Sequence, residues 1–387
     1  MADVKQIYEI LNDAVAQAFG SGIYDAIDSN NLVSVGEQIK ADGNTDVLGL
    51  ALLDRVGKVI IEDRAYKSKW RFLAKNEMEW GAIVEKVHTR LMTAQANSSY
   101  TWAGGTAPDP YAINLPDTDV KLFKNITTFE VPVTIPDDQL KTAFLSAAGM
   151  ESFITSIFTA VENSVEFYFE TEAKLVFNTA IAICKEKQGE ESNRGVHVVN
   201  LLTDYNTLYP DNTIDSADVA LYDEDFLKYA VARINDVADN MATFNTIYNI
   251  DGYERFTPKS EMVAVALNIF ANTCQTHMQS NIYHDTLVTL PMYEAIPYFQ
   301  TQGTGSFTDR SKLKEFTPAQ DPDEDTPVEV TNVVFALMDN RAIGAMLNDE
   351  RVKSQRNERG EYTNYWYKGT RGNFIDTSEQ MCVFTLN

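Results

Sequence analysis

The chain is short of the residues on which most site chemistry rests. It holds three cysteines and four histidines in 387 residues. Cys184, Cys274 and Cys382 lie far apart and form no CxxC pair, which excludes a disulfide framework and a zinc ribbon. All three are expected to stay reduced, in keeping with synthesis in a reducing compartment. His88, His197, His277 and His284 never fall at metal-ligand spacing, and no HExxH occurs. His284-Asp285 has the elements of a general-base pair, but no nucleophile elbow lies near it. Gly303-Thr-Gly305 is a lone fragment that reads as a flexible turn, with no P-loop. No apolar run approaches the roughly 20 residues that span a bilayer, and no basic segment followed by an apolar one opens the chain. Neither a membrane span nor a secretory signal is expected, and the protein is expected to be soluble.

Positive charge is also scarce. Lysine and arginine number 32 against 56 aspartate and glutamate, a net charge of −24. Such a chain is repelled by phosphate and anionic lipid, which excludes a sequence-reading nucleic-acid protein and leaves only weak, salt-sensitive contact with DNA. The run Asp321 to Asp325 lacks the central glycine and terminal glutamate of a calcium loop and reads as solvated. No metal, cofactor or catalytic residue is assigned. With 44% hydrophobic residues the chain is globular, and its length suits two or three domains.

What is present is architecture. After Pro136-Asp137 a helical run carries Met150, Phe153, Ile154, Ile157, Phe158, Val161, Val165, Tyr168, Phe169, Leu175, Val176, Ala180 and Ile183 at three-four spacing. Glu151, Glu162, Glu166, Glu170, Glu172 and Lys174 fall between them, predicting a charged outer face. Lys185 and Lys187 suit the helix C-terminus, and Gly189 is a stop. From Met150 to Lys187 such a helix measures roughly 55 Å, a backbone for other elements.

In chain order, residues 3 to 19 form an amphipathic arm helix stopped by Gly20, and residues 20 to 45 read as an irregular extension. A second helix starts at Asp46 with Leu48, Leu52, Leu53, Val56, Val59 and Ile60. Residues 64 to 81 then alternate aromatics (Tyr66, Trp70, Phe72, Trp80) with cations (Lys67, Lys69, Arg71, Lys75), turn at Lys75-Asn76-Glu77, and return through Ile83, Val84, Val87 and Leu91. This predicts a long two-stranded hairpin. An isolated hairpin is marginal in water, so its contacts are expected with a neighbouring subunit. Tyr66, Lys67, Lys69, Trp70, Arg71, Phe72, Lys75 and Trp80 are the candidate inter-subunit residues.

Residues 97 to 125 read as an extended loop and 126 to 135 as an edge strand marked by Pro132. Past the long helix come a turn-rich stretch over 189 to 220 and a helix from Asp223 to Phe244. Strands are predicted at Met262 to Leu267 and Leu287 to Leu290, with a loop from Thr301 to Pro327. A central strand at Asn332 to Met338, a short helix at Asn340 to Leu347 and a β-rich tail complete the chain. Basic residues gather near 55 to 75 and 341 to 371 on an otherwise acidic chain, which suits head-to-tail association of identical subunits.

Two segments carry a family resemblance. Tyr66-Lys-Ser-Lys-Trp-Arg-Phe-Leu through Trp80-Gly81-Ala-Ile-Val-Glu-Lys resembles the extended loop of the Hong Kong 97-type major capsid proteins of tailed bacteriophages. Val333-Val-Phe-Ala-Leu-Met-Asp-Asn-Arg-Ala-Ile-Gly344 through Glu361-Tyr-Thr-Asn-Tyr-Trp-Tyr-Lys368 to Val383-Phe-Thr-Leu386 resembles that family's C-terminal half. The resemblance implies an α+β fold: an N-terminal arm (1–45), a helix and extended hairpin loop (46–95), a peripheral domain with a spine helix (96–190), an axial domain (191–340) and a returning C-terminal segment (341–387). It implies a structural protein, not an enzyme, that forms hexamers and pentamers in an icosahedral shell around packaged double-stranded DNA, made in the host bacterial cytoplasm and found in the virion. Its implied partners are itself, a separate scaffolding protein, portal and minor capsid or decoration proteins, and no membrane. The arm is short and the chain starts at Met1, so proteolytic processing is not expected. An encapsulin-like nanocompartment shell and a carboxylate-based hydrolase are the alternatives.

Overall fold

The computed structural model describes residues 4–28, 31–42, 47–48, 51, 66–75, 84–94, 111, 113–136, 147–188, 195–280, 290–317 and 327–387. The chain divides into two units. One gathers Met1–Glu79, Ile126–Ala173 and Ala345–Gly372; the other gathers Trp80–Asn125, Lys174–Gly344 and Asn373–Asn387.

In the first unit, α1 (Val4–Phe19) ends where Gly20 takes φ +90°, a conformation open to glycine and costly for other residues. A second helix follows, α2 (Leu32–Ala41), within the stretch predicted to be irregular. Leu32, Val35 and Ile39 do recur at helical spacing, but only over ten residues flanked by Asn, Ser and Gly, which mask the signal. Together with Leu11, Ala14, Val15, Ile27, Leu48 and Ala51 they form a closed apolar cluster. Asn12 pins the connecting chain, donating to the Ile27 carbonyl at 3.0 Å and accepting from its N–H at 2.5 Å. The arm therefore has a core of its own, shared with Leu48 and Ala51. Of the helix predicted from Asp46, Val47, Leu48 and Ala51 are helical and the remainder lies outside the described residues.

The segment expected to be the first strand of a hairpin is instead a 3-10 turn over Lys69–Leu73, capped by the Ser68 hydroxyl, which accepts from Trp70 N–H at 3.1 Å. Trp70 is 1% exposed and Leu73 is buried. The alternation of aromatics and cations matched a strand, yet burying Trp70 and bonding Ser68 to the long helix favours a tight turn. Residues 76–83, Trp80 among them, lie outside the described residues.

The predicted long helix is continuous as α3 (Ala147–Lys187), 41 residues or about 60 Å. Within the first unit, Val161 and Val165 pack with Ile135, Tyr365 and Tyr367. These last three belong to a sheet ordered β10-β11-β3, from Ile343–Asn357, Tyr362–Ile375 and Asn125–Pro136. β3 is an edge strand, as Pro132 requires. Gly369 of β11 lies against β3, where an added Cβ would sit 2.5 Å from the Phe129 ring. β10 replaces the helix predicted over 340 to 347; its apolar start suits either element, and pairing with β11 decides between them.

The stripe of α3 is buried as expected at Val161, Val165, Phe169, Val176, Ala180 and Ile183, but its charged residues are not all outward. Glu162, Glu166 and Glu172 are buried, while Phe167 and Tyr168 are exposed. The carboxylates face inward because partners wait there. Arg71 pairs with Glu166, Ser68 N–H donates to it at 3.2 Å, and Arg371 lies 3.1 Å from Glu172. Partners on distant segments leave no trace in helix periodicity.

The second unit is built on a sheet ordered β4-β12-β9-β5-β6, from Val198–Asn200, Met381–Thr385, Val333–Asp339, Met262–Leu267 and Glu294–Ile296. β9 is central and buried at all seven positions, as its unbroken apolar run predicts. It runs antiparallel to β12 and β5, with β4 and β6 parallel at the edges. Around it lie α4 (Leu201–Leu208), α5 (Glu224–Met241) and α6 (Asn268–Ser280). Asp223 caps α5 by accepting from Phe226 N–H at 2.8 Å. α4 and α6 were not foreseen, nor were the short helix Phe307–Arg310 and the pair β7 (Leu313–Phe316) and β8 (Val328–Val330). The strand predicted at 287–290, except Leu290, and the run 321–325 lie outside the described residues. The three cysteines are free and buried, and burial pushes the Cys184 and Cys274 thiols up to about 12. Among the described residues no helix is long and apolar enough to cross a membrane.

Trp70 and Lys69 separate a core role from a surface role. Trp70→Ala should cost about 3–5 kcal/mol in urea unfolding of the unassembled chain, the usual loss for a buried tryptophan. Lys69→Glu, at an exposed position, should change stability by no more than about 0.5 kcal/mol.

Candidate assembly surface

The eight residues singled out from the sequence meet different fates. Tyr66, Lys67 and Lys69 are exposed, with the Tyr66 hydroxyl 3.2 Å from Glu170. Trp70 is inside, its ring stacked on Phe72 at 5.8 Å, and Arg71 is tied to Glu166. Phe72 and Lys75 are half-buried, and Lys75 N–H donates to the Ala345 carbonyl at 3.0 Å. This segment braces the chain's own long helix and strand β10.

A two-stranded ribbon does exist, one segment further on, between β1 (Val84–Thr89) and β2 (Thr118–Phe123). The return strand was foreseen at 83 to 91; its partner lies in the stretch predicted to be loop. Opposed pairs share a face, so the register Val87↔Val120 and Glu85↔Leu122 sets one side, and Lys86↔Lys121 and His88↔Asp119 the other. The side turned to the body carries Lys86, His88, Asp119 and Lys121 together with the buried Val84, and the outward side carries one charge, Glu85. Val87, Val120 and Leu122 face outward at 61%, 53% and 63% exposure. Leu91 and Met92 leave β1 exposed, and Ile113 and Leu115 approach β2 exposed.

Asp376 is the reason for the inversion. Its fully buried carboxylate lies 3.3 Å from Lys86 Nζ, 3.0 Å from His88 Nε2 and 3.4 Å from Lys121 Nζ. Burial alone would raise its pKa, but Lys86, the Ser378 N–H, His88 and Lys121 together hold it below the ordinary value. Asp251 is likewise lowered, burial being outweighed by Lys121 and by the Thr377 and Ser378 hydroxyls. Tyr253 donates its hydroxyl proton to Asp119, and burial with that bond pushes it up to about 12. Arg255 bonds to His88 Nδ1. A guanidinium only donates, so Nδ1 accepts, and Nε2–H donates to Asp376. His88 is therefore neutral, with its pKa lowered by burial and by Arg255 against the pull of Asp376.

Donor atoms of His88, Asp376 and Glu379 lie within 4.8 Å of one another, close enough to hold a metal. The group does not fit one: Lys86 and Lys121 already approach Asp376, and Arg255 occupies the other nitrogen of His88. A cation there would displace ammonium groups and meet their repulsion. The cluster is an ion-pair node fastening the ribbon, and spacing could not have found it, since 88, 255 and 376 are distant in sequence.

A chain with a long helix beside a three-stranded sheet, and a five-stranded sheet in a second unit, has the Hong Kong 97-type fold of tailed-phage capsid subunits. The capsid structure of Staphylococcus phage Andhra superposes with a TM-score of 0.50 at 11% identity, covering 84% of this chain and 86% of that one. A structure of the head fibre and inner core protein of bacteriophage P68 gives 0.51 at 10% identity over the same shares. A family model for Phi29-like phage major capsid proteins matches residues 12–385, and the chain belongs to that family. The major capsid proteins of Bacillus phages PZA and B103 are 27% and 28% identical over 116 residues, 30% of this chain. That stretch spans a quarter of each relative's length.

His88 gives the node a pH signature. A histidine with a lowered folded pKa contributes stability that is present above its ordinary 6.5 and is lost as pH falls through the folded value. Glu379, raised by burial and by Asp339, acts in the opposite sense, favouring the folded state at lower pH. His88→Gln keeps an acceptor for Arg255 and a donor for Asp376 without titrating. Between pH 7.5 and 5.5 the parent should lose more stability than the variant in parallel urea titrations; parallel curves would show that His88 does not titrate in the node.

Proposed function

We propose that this chain is the shell-building subunit of a tailed double-stranded DNA phage head. Copies associate into hexamers and pentamers that close an icosahedral shell, as part of the virion. The observation that carries this is the ribbon's outward face, where Val87, Val120 and Leu122 meet solvent beside a single charge, Glu85, while Lys86, His88 and Lys121 are engaged within the chain. A surface of that kind is stable in water when another molecule covers it. Family membership supports the same conclusion.

In this reading the first unit holds the arm, the spine helix as far as Ala173 and the peripheral sheet, and the second holds the rest of that helix and the axial sheet with the β1–β2 ribbon as extended loop. Tyr66, Lys67 and Lys69 add exposed groups toward a neighbour, while Trp70, Arg71, Phe72 and Lys75 support them from within. The role is structural rather than enzymatic, a reading supported by a polar cluster whose Asp376 and His88 are engaged by cations of the same chain. Scaffolding, portal and decoration proteins are the further partners, synthesis takes place in the host bacterial cytoplasm, and packaged DNA is touched weakly because of the net charge of −24.

Salt distinguishes apolar assembly from the basic-on-acidic association that sequence alone suggested. Screening shortens from about 10 Å at 0.1 M to about 3 Å at 1 M, which weakens repulsion between acidic copies and leaves apolar contact intact. Light scattering and electron microscopy of purified protein should show closed shells forming more readily as salt rises. Val120→Ser with Leu122→Ser should raise the concentration needed while leaving the melting temperature of the free subunit nearly unchanged. Assembly that weakens with salt, or is indifferent to both serines, would remove the ribbon from the contact.

A further inference from the structure

A second inside-out element lies after α5. Asn245 and Arg255 exchange both backbone hydrogen bonds at 3.0 Å, so Phe244 and Phe256 stand opposite each other, one residue outward on each side. Their rings are edge to face at 4.6 Å between centroids, and they are 59% and 46% exposed. Single exposed aromatics are ordinary. This pair is different because it is held rigidly from behind.

Asn245 donates to the carbonyls of Asn240 and Thr243, both at 2.8 Å, and accepts from the Gln380 side chain at 3.2 Å. Thr257 N–H donates to Met241 O at 2.8 Å. Arg255 bonds to His88, so the cluster that fastens the β1–β2 ribbon also fastens this turn. Rings ordered before any contact need little further ordering on binding, the property of an interface anchor.

We propose that the Phe244–Phe256 pair is such an anchor and that it seats on a second copy of this chain, an inference that rests on the shell reading above. Three observations select that occupant. Under the shell reading a second copy is the partner present for every subunit. The chain flanking the rings carries both signs, since Lys259, three residues beyond Phe256, pairs with Asp239, five before Phe244, both exposed, so an acidic copy can approach here despite the net charge of −24. The pair also shares its support, through Arg255 and His88, with the ribbon whose outward residues Val87, Val120 and Leu122 are exposed. Packaged DNA is a poor occupant, since the pair offers no cation to a phosphate beyond one already paired.

Phe244→Ser with Phe256→Ser should leave the free subunit folded, by circular dichroism and melting temperature, and raise the assembly concentration about tenfold, the scale of a lost hot spot. Independently, Phe256→Cys should be labelled by a maleimide in free subunits and protected in shells, where the native cysteines are buried in any case. Equal labelling in both states, or assembly of the double variant at the parent's concentration, overturns the anchor. Protection that depends on a co-expressed scaffolding protein assigns the pair to that partner and overturns the second copy. If the parent forms no shell at all, the shell reading falls and this inference with it. Shells that form normally while the introduced thiol stays reactive sink the anchor alone.

Discussion

A single buried carboxylate orients the ribbon. Asp376 receives Lys86 and His88 from β1 and Lys121 from β2. An unpaired charge at that depth costs several kcal/mol, so both strands must turn these side chains inward. Period-two geometry does the rest. Once Lys86, His88, Lys121 and Asp119 face the body, Val87, Val120 and Leu122 have no choice but to face out. The exposed apolar face is thus the other side of an electrostatic requirement, and it cannot be removed by sliding the register without exposing Asp376.

The long helix follows the same logic. Glu166 and Glu172 point inward to Arg71 and Arg371, and Phe167 and Tyr168 are left outside. Arg71, Lys86, Lys121, Arg255 and Arg371 are all occupied within the chain. Of the cations the sequence offered for contact between copies, Arg71 and Arg371 are therefore engaged by groups of their own chain. Under the proposed shell reading, attraction between copies then rests chiefly on apolar surface, with Lys67 and Lys69 left exposed beside it.

The parts of the fold that depend on one segment's own pattern were legible: α1, α3, α5, the central strand β9 and the edge strand with Pro132. The parts decided by distant partners were not. Trp70 lies on a segment whose alternation fits a strand, and only the buried Glu166 beside it explains the tight turn. β2 has weak strand character by itself and exists through pairing with β1 and the grip of Lys121. The inward turn of Glu162, Glu166 and Glu172 on α3 was not legible because helix spacing reports which residues share a face, not which charged partners wait inside. The polar node was invisible for the same reason, its members being separated by more than a hundred residues at each step from His88 to Arg255 to Asp376.

Both inside-out elements are tied at one point, where Arg255 meets His88. That link matters for geometry more than for stability. An apolar patch on a flexible strand would stick at many angles, and head-to-tail contacts at variable angles give open aggregates rather than closed shells. A patch backed by a saturated ion-pair node keeps one orientation, because any tilt of the ribbon pulls Lys86, His88 and Lys121 off a buried carboxylate together. The aromatic turn is held to the same node through Arg255, so the two faces are fixed relative to each other as well as to the body of their unit. A buried polar cluster is a costly way to build a core, and hydrophobic residues of the same volume would stabilise a monomer as well. Its advantage is directional: hydrophobic packing tolerates small rotations, whereas a set of ion pairs converging on one carboxylate does not. Under the proposed shell reading, the node supplies the angle and the apolar faces supply the adhesion.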